Sequence, residues 1–263
     1  MRHWSSVLIV FWSIAALSPF FFDIQPNQIH LDAILCGPSA RHFFGVDDLG
    51  RDILLRLLVG AQVSFMVVFA VTIVTSLFGI TVGLVAGYYG GWIDRVLMQV
   101  TDVFLAFPGI LLAIAFAAVL GAGLNNLILA LCITSWVSYA RLTRAQALSL
   151  RQRQHVVAAL SLGASVPRLM IKHIVPLLAA PLLVEATYSM AGLVIAEASL
   201  SFLGLGIQAP DASWGAMLRD AVRYMLVAPH YVIAVGLSLM SLVLAVNVFG
   251  DRLREKLEVR GEQ

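Results

Sequence analysis

Long runs without a charge alternate with short polar intervals along this chain, and the lengths of the runs fix what they build. A membrane helix needs about 20 mostly apolar residues. Val7 to Phe22, Val63 to Tyr89 and Tyr224 to Gly250 come near that length or exceed it with no Asp, Glu, Lys or Arg inside. Pro176 to Leu205 makes another, interrupted only by Glu185 and Glu197. Val103 to Ala140 is too long for one crossing, and the GAGLNN turn from Gly121 to Asn126 divides it into two. Six transmembrane helices follow, so the chain is expected to be an all-α, polytopic membrane protein. Its expected parts are an N-terminal anchor (1–22), an external loop (23–62), a core transmembrane domain (63–250) with an elbow at 141–176, and a tail (251–263).

The polar intervals carry patterns of their own. In FGVDDLGRDILLRLL (Phe44 to Leu58), Asp47 or Asp48 can cap a helix whose apolar Ile53, Leu54, Leu57 and Leu58 share one face. This segment is expected as an amphipathic helix lying along the outer membrane surface. Within the second span, Gly79, Gly83 and Gly87 recur at every fourth residue and make a smooth stripe for close packing of another helix, a structural feature rather than a binding site. The elbow reads as two short helices. His155 to Leu162 forms the first, with Val156, Val157 and Leu160 on one side and Gly163 ending it in a left-handed cap. Ser165 then caps the second, with Pro167 in its first turn and Pro176 at the junction with the fifth span. Ala158, Ala159, Gly163, Ala164 and Ser165 are small enough for such a knob to enter a groove, although on pattern alone it reads equally as an inert loop.

Charge gives the picture a direction. Arg141, Arg144, Arg151, Arg153, Arg168 and Lys172 all lie in the elbow, and no carboxylate occurs between Asp102 and Glu185. Basic loops tend to remain in the cytoplasm. With the N-terminus inside, Arg2, Arg95, Arg252, Arg254, Lys256 and Arg260 join the elbow on the cytoplasmic side, while Arg41, Arg51, Arg56, Arg219 and Arg223 fall outside. Both termini and the elbow are therefore expected in the cytoplasm. A mean hydropathy of +0.91 with 12% charged residues agrees with a membrane class, and a net charge of +2 is too small to suggest a nucleic-acid partner. Cys36 and Cys132 form no C-x-x-C and no zinc spacing, so neither a disulfide nor a metal cluster is expected. MRHW ahead of the first span looks like the basic start of a signal peptide, but bulky SPFFFDIQ offers no small-residue cleavage site, and an uncleaved anchor is expected.

Candidate chemistry is sparse. Glu185 and Glu197 are costly in a bilayer and are expected to face protein or a water-filled path. Twelve residues apart, they are separated by about 18 Å along a helix and about 120° around it, which speaks against one paired site. Glu197, near the outer end, reads as hydrogen-bonded to Ser201 or neighbouring helices, or else as lining the path. Glu185, close to the inner mouth, reads as structural or as a partner for a peptide ammonium or a cation. His230, after Pro229, reads as interfacial rather than as a metal ligand. Lys172 and Lys256, the only lysines, are followed by His and Leu, so there is no P-loop and the chain is not its own motor. No H-E-x-x-H, paired acid or Ser with a base lies within the spans, which argues against an intramembrane protease and leaves no catalytic residue to name. An ion-coupled secondary transporter is the better rival. That class tends to show interrupted helices in both halves of an inverted repeat, and Pro108 has no obvious counterpart.

Four motifs, in order, carry a family resemblance. Val157, Ala158, Ala159, Gly163 and the run Ile174 to Pro176 resemble the coupling motif of ABC importer permeases, which reads E-A-A, then G, then I-x-L-P. AEASLSFLGLGIQAPDASWGAML (Ala196 to Leu218) resembles the end of span five and the following outer loop in permeases of the dipeptide, oligopeptide and nickel importers. FGVDDLGRDILLRLL resembles that subfamily's segment before span two, and NVFGDRLRE (Asn247 to Glu255) its exit from span six. The resemblance runs from Phe43 to Glu258. Val157 stands where the motif has Glu, Val46 where the subfamily has Thr, and Glu258-Val259 where Asp-Pro is common. These departures speak against a charged contact by Val157 and leave the helix, hinge and proline geometry intact.

The resemblance implies a type I ABC importer permease fold in the bacterial cytoplasmic (inner) membrane. It implies a homologous second permease subunit, two cytosolic ABC ATPases and an extracytoplasmic substrate-binding protein as partners. ATP and Mg would belong to the ATPases, with no cofactor bound by this chain. The surface that meets the ATPases would comprise Val157, Ala158, Ala159, Gly163, Ala164, Ser165, Arg168 and Pro176. Dipeptides or oligopeptides are the first expected cargo and nickel, free or chelated, the second; the lack of a His or Cys cluster in the spans favours peptides.

Overall fold

The computed structural model describes residues 4–22 and 24–261, with side chains as far as Leu257. Arg2, Glu262 and Gln263 lie outside the described residues, as do the side chains of Glu258, Val259 and Arg260. The described helices are α1 (Trp4–Phe21), α2 (Ile53–Tyr89), α3 (Gly91–Leu105), α4 (Gly109–Leu120), α5 (Leu124–Ser135), α6 (Val137–Leu150), α7 (Gln154–Ser161), α8 (Val166–Leu169), α9 (Val175–Phe202), α10 (Trp214–Arg223) and α11 (Pro229–Gly261). A π-helical turn, Met170–Ile174, joins α8 to α9. The architecture is all-α.

Four stretches are long and apolar enough to cross a membrane: α1, α2, α8 through α9, and α11. α3 and α4 qualify together as a fifth, bent by 85° at a break before Gly109. Pro108 sits at that break, where its ring disfavours helical backbone in the residue before it. The GAGLNN turn ends α4 where expected. Gly121 and Gly123 adopt φ of +88° and +140°, and the Asn126 amide donates to the Leu120 carbonyl at 2.8 Å, capping the helix. The expected count of six exceeds these four or five because α5 and α6, at 12 and 14 residues, are each too short alone.

The outer segment differs from expectation. Ile53, Leu54, Leu57 and Leu58 form no separate surface helix; they open α2, which runs on for 37 residues, about 55 Å. Nothing after Leu58 breaks the helix, and Ile53 and Leu57 are fully buried rather than laid on a membrane surface. The start of α2 is capped by Asp52, whose carboxylate accepts from the Leu55 amide at 3.1 Å, and not by Asp47 or Asp48.

The chain forms two compact units. The first comprises Met1–Ala70, Ile114–Leu131 and Met190–Phe249. Its centre is Trp214, fully buried, edge-on to Trp12 with ring centroids 4.8 Å apart. The Trp214 indole donates to the Leu57 carbonyl and the Trp12 indole to the Ser241 hydroxyl, both at 2.9 Å. Each ring therefore buries its apolar body without orphaning its N–H. Gly60 makes this possible, since a Cβ there would stand 2.6 Å from Trp214 Cδ1. Ser213 caps α10 by accepting from the Ala216 amide at 3.2 Å, and Trp214, Met217 and Ala221 form the buried face of that helix.

The second unit comprises Val71–Ala113, Cys132–Ser189 and Gly250–Gln263. Trp136 lies edge-on between Phe78 and Phe104, at 5.1 and 5.5 Å. The end of α2 is closed by Arg151, whose guanidinium donates to the carbonyls of Gly87 (3.2 Å) and Tyr88 (3.1 Å), a cation placed on the negative end of the helix dipole. A cluster of Leu84, Leu150, Val156, Leu169, Ile174 and Leu178 fills the space beneath the elbow.

Candidate functional site

The elbow has the helix, glycine and helix order that its sequence suggests. α7 ends at Ser161, Gly163 takes φ of +86°, and α8 follows with Pro167 in its first turn. Ser165 occupies the cap position with extended backbone, but its side chain makes no capping hydrogen bond. Pro176 is the second residue of α9, directly after the π-helical turn, and has no N–H to donate to that turn's carbonyls.

The faces of the elbow divide differently from the expectation that Val156, Val157 and Leu160 share a side. Val156 is buried with Leu169 and Ile174, three side chains whose burial is worth about 1.5–3 kcal/mol each and which hold α7 and α8 onto the unit. Val157 and Leu160 point away, 49% and 52% exposed, together with Leu162 at 88% and Ile171 at 67%. Ala158, Gly163 and Arg168 are exposed as well, whereas Ala159 and Ala164 pack against the elbow's own core. A short basic segment thus presents apolar side chains that no described residue covers.

The glycine stripe contacts α6. A Cβ on Gly79 would stand 2.6 Å from Tyr139 Cβ, one on Gly83 would overlap the Ala140 carbonyl and stand 2.7 Å from Thr143 Cβ, and one on Gly87 would stand 2.8 Å from Ala147 Cβ. The helix accommodated by the stripe therefore belongs to the same chain. Between α3 and α6, the Asp94 carboxylate accepts both Nε and Nη2 of Arg144, the latter at 2.6 Å, a bidentate pair.

The two membrane carboxylates have different surroundings. Glu197 is fully buried, and its oxygens accept from the hydroxyls of Ser64 and Ser201, each at 2.9 Å. The segment after α9 closes over this group: a Cβ on Gly206 would overlap the Ser201 hydroxyl, and one on Gly215 would overlap the Ala198 carbonyl. The small residues of AEASLSFLGLGIQAPDASWGAML are thus a packing device around a buried acid. Glu185 is half-buried and borders a cavity of about 490 Å³ in the second unit.

Sequence reasoning missed a buried charge cluster in the external loop. Asp47, fully buried, accepts from the amides of Leu49 and Arg51 at 2.9 Å and from Arg51 Nε at 2.7 Å, with Arg56 Nε 3.5 Å away. Arg56, 3% exposed, also donates to Asn27 at 2.8 Å. Two guanidiniums sharing one carboxylate keep each buried charge paired and fasten the loop to the start of α2. Burial, reinforced by neighbouring Asp47, pushes the Asp48 carboxyl above its ordinary range. The spacing of Asp47 and Arg51 was a usable signal; Asn27 and Arg56, far apart in sequence, gave none. Among the described residues no three His, Cys, Asp or Glu side chains are grouped to hold a metal ion.

Comparison with known proteins places these features in a lineage. A family model described as binding-protein-dependent transport system inner membrane component matches residues 79–259, which include the glycine stripe, the elbow and both carboxylates. The chain is 40% identical to the dipeptide transport system permease protein DppC of Alkalihalophilus pseudofirmus, covering 96% of this chain and 83% of that one. It is 42% identical to the glutathione transport system permease protein GsiD of Pectobacterium atrosepticum (96% and 82% covered) and 47% identical to GsiD of Escherichia coli O157:H7 (88% and 77% covered). Its fold is similar to that of a chain in the inward-facing MetNI methionine ABC transporter, with a TM-score of 0.59 at 18% identity over 78% of this chain and 97% of that one.

Proposed function

The chain belongs to the binding-protein-dependent transport system inner membrane components, and from that membership we propose how it works and what it carries. It is a multi-pass inner-membrane permease of an ABC importer, a transport subunit and not an enzyme, and the ATPases of such a system are separate chains. In the proposed assembly it pairs with a homologous second permease, two ATPases that bind ATP and Mg, and an extracytoplasmic binding protein. Its cargo is a short peptide, glutathione included; relatives named for dipeptide and glutathione transport support this choice over nickel.

The observation that carries the mechanism is the uncovered apolar face on the basic elbow. Val157, Leu160, Leu162 and Ile171 are exposed in a segment rich in Arg, and apolar side chains left open on a basic segment proposed to stand in the cytoplasm, away from lipid, suit a protein partner. The elbow inserts this face, with Ala158 and Gly163, into a groove on an ATPase, and nucleotide-driven closure of the ATPases then moves α6 and α9, the helices that flank it. Val156, Leu169 and Ile174 make the elbow rigid enough to transmit that movement. Arg168 and the other elbow cations favour an acidic rim on the partner.

The proposed topology has six crossings, with both termini and the elbow in the cytoplasm and residues 44–58 and 206–223 outside. The excess of Lys and Arg in the elbow supports this direction. α5 and α6 together supply the sixth crossing, a reading supported by Trp136, whose φ of −77° and ψ of −19° keep the joint helical. Glu197 serves the fold and Glu185 the path. Purification of the tagged chain from membranes tests the assembly: it should bring down a second permease and ATPases, and mass spectrometry of the ligand held by the binding protein should find a short peptide. A chain recovered without ATPases would favour a secondary transporter, and a nickel ion in the binding protein would overturn the cargo.

A further inference from the structure

The cavity of about 490 Å³ beside Glu185 is separate from the exposed face of the elbow. One wall is a single stripe of α9, on which Leu177, Pro181, Val184, Glu185 and Tyr188 recur at helical spacing. α6 contributes Gln146 and Leu150, and α11 contributes Arg254 and Leu257. The volume lies within the roughly 300–1,000 Å³ of small-molecule sites, and the composition, mostly apolar with a few convergent polar groups, is also theirs.

The polar groups are graded by depth. Glu185 is half-buried, whereas Arg153 and Arg254 are exposed at the border. Pro181 has no N–H to offer the Leu177 carbonyl one turn earlier, so the helix ladder leaves an acceptor in the stretch of α9 that carries Glu185. The Tyr188 hydroxyl donates to Asp251 at 2.6 Å, which ties α9 to α11 and fixes the phenol at the wall. A simple cation would meet the two guanidiniums, and a simple anion would meet the carboxylate. A molecule with one charge of each sign at its ends complements both.

We propose that this cavity is a transport subsite for a short zwitterionic peptide, which places its ammonium against Glu185 and its C-terminal carboxylate against Arg153 and Arg254. The proposal rests on the importer reading and adds the chemistry by which this chain itself, apart from any binding protein, recognises cargo. Guanidiniums at a wet rim bind weakly, as suits a site that must release what it holds.

The test uses the purified complex of both permeases and the ATPases, without binding protein or nucleotide, titrated calorimetrically with glycyl-leucine, N-acetyl-glycyl-leucine and glycyl-leucinamide. Blocking either end should weaken binding about tenfold or more, since each removes a charge-assisted contact. Glu185→Gln should abolish the penalty for acetylation and the double variant Arg153→Gln with Arg254→Gln that for amidation, while Glu185→Asp should keep both penalties. Val184→Trp, which fills the cavity without touching a charge, should eliminate binding of all three. Co-purification of the ATPases shows that each variant has assembled. Equal binding of the three ligands, discrimination unchanged in the variants, or no binding at millimolar concentrations in a complex that still imports glycyl-leucine would overturn the subsite and leave the importer reading standing. Loss of both import and ATPases from the unmutated complex would sink the two together.

Discussion

Glu197 receives hydrogen bonds from Ser64 and Ser201 in a site with no exposure, so its carboxylate is satisfied within the protein. Removing the acceptor strands two buried hydroxyls, and Glu197→Leu should cost about 1–3 kcal/mol, read as a lower thermal midpoint of the purified complex. Glu197→Gln keeps one acceptor oxygen, so it should retain uptake with a smaller loss of stability. A Gln variant that folds normally and yet fails to transport would place the charge on the path instead. Half of this arrangement was legible: Ser201 lies one turn after Glu197, whereas Ser64 is 133 positions away and no local pattern announces it. The same limit hid the pairing of Asp94 with Arg144, 50 positions apart, which only the packing of α3 on α6 creates.

Elements were easier to read than the faces they present. Gly163 and Pro167 mark the elbow because they act on their own backbone, but Val156, Val157 and Leu160 are all apolar, and only tertiary contact decides that Val156 alone turns inward. Leu160→Asp should therefore leave membrane insertion and thermal stability nearly unchanged while abolishing substrate-stimulated ATP hydrolysis, whereas Val156→Asp should destabilise the chain. Equal hydrolysis by Leu160→Asp and unmutated complexes would remove this face from the mechanism. The glycine stripe gives a second case. Its spacing announced a close helix, but not that the helix is α6 of the same chain. Since even a Cβ on Gly83 overlaps the Ala140 carbonyl, Gly83→Leu should act before assembly. Overpacking of this kind costs typically about 1–3 kcal/mol, measured as a lower yield of folded chain in membranes before any partner binds. Normal yield with failed pairing would assign the stripe to an interface between subunits.

At the scale of the whole molecule, hydropathy located every helix that is long enough to cross, and the GAGLNN turn was placed correctly. Fewer than the six expected spans stand out by helix length where geometry intervenes: Pro108 lies at an 85° bend in one crossing, and another run is divided at Trp136 into two short helices. Hydropathy also detached the first turns of α2, because an amphipathic face looks alike on a surface helix and at the buried start of a long one. The proposed direction is tested by labelling from outside in a chain whose Cys36 and Cys132 are replaced: Asp211→Cys should react and Gln152→Cys should not, and the reverse would invert the topology. The central claim is that the elbow delivers its uncovered apolar face to a cytosolic ATPase. Leu162, at 88% exposure, is the most open side chain of that face. A photo-crosslinking residue at Leu162 in the intact complex should form an adduct with an ATPase subunit whose yield changes on adding ATP, whereas adducts only with lipid, or with the external binding protein, would contradict the account.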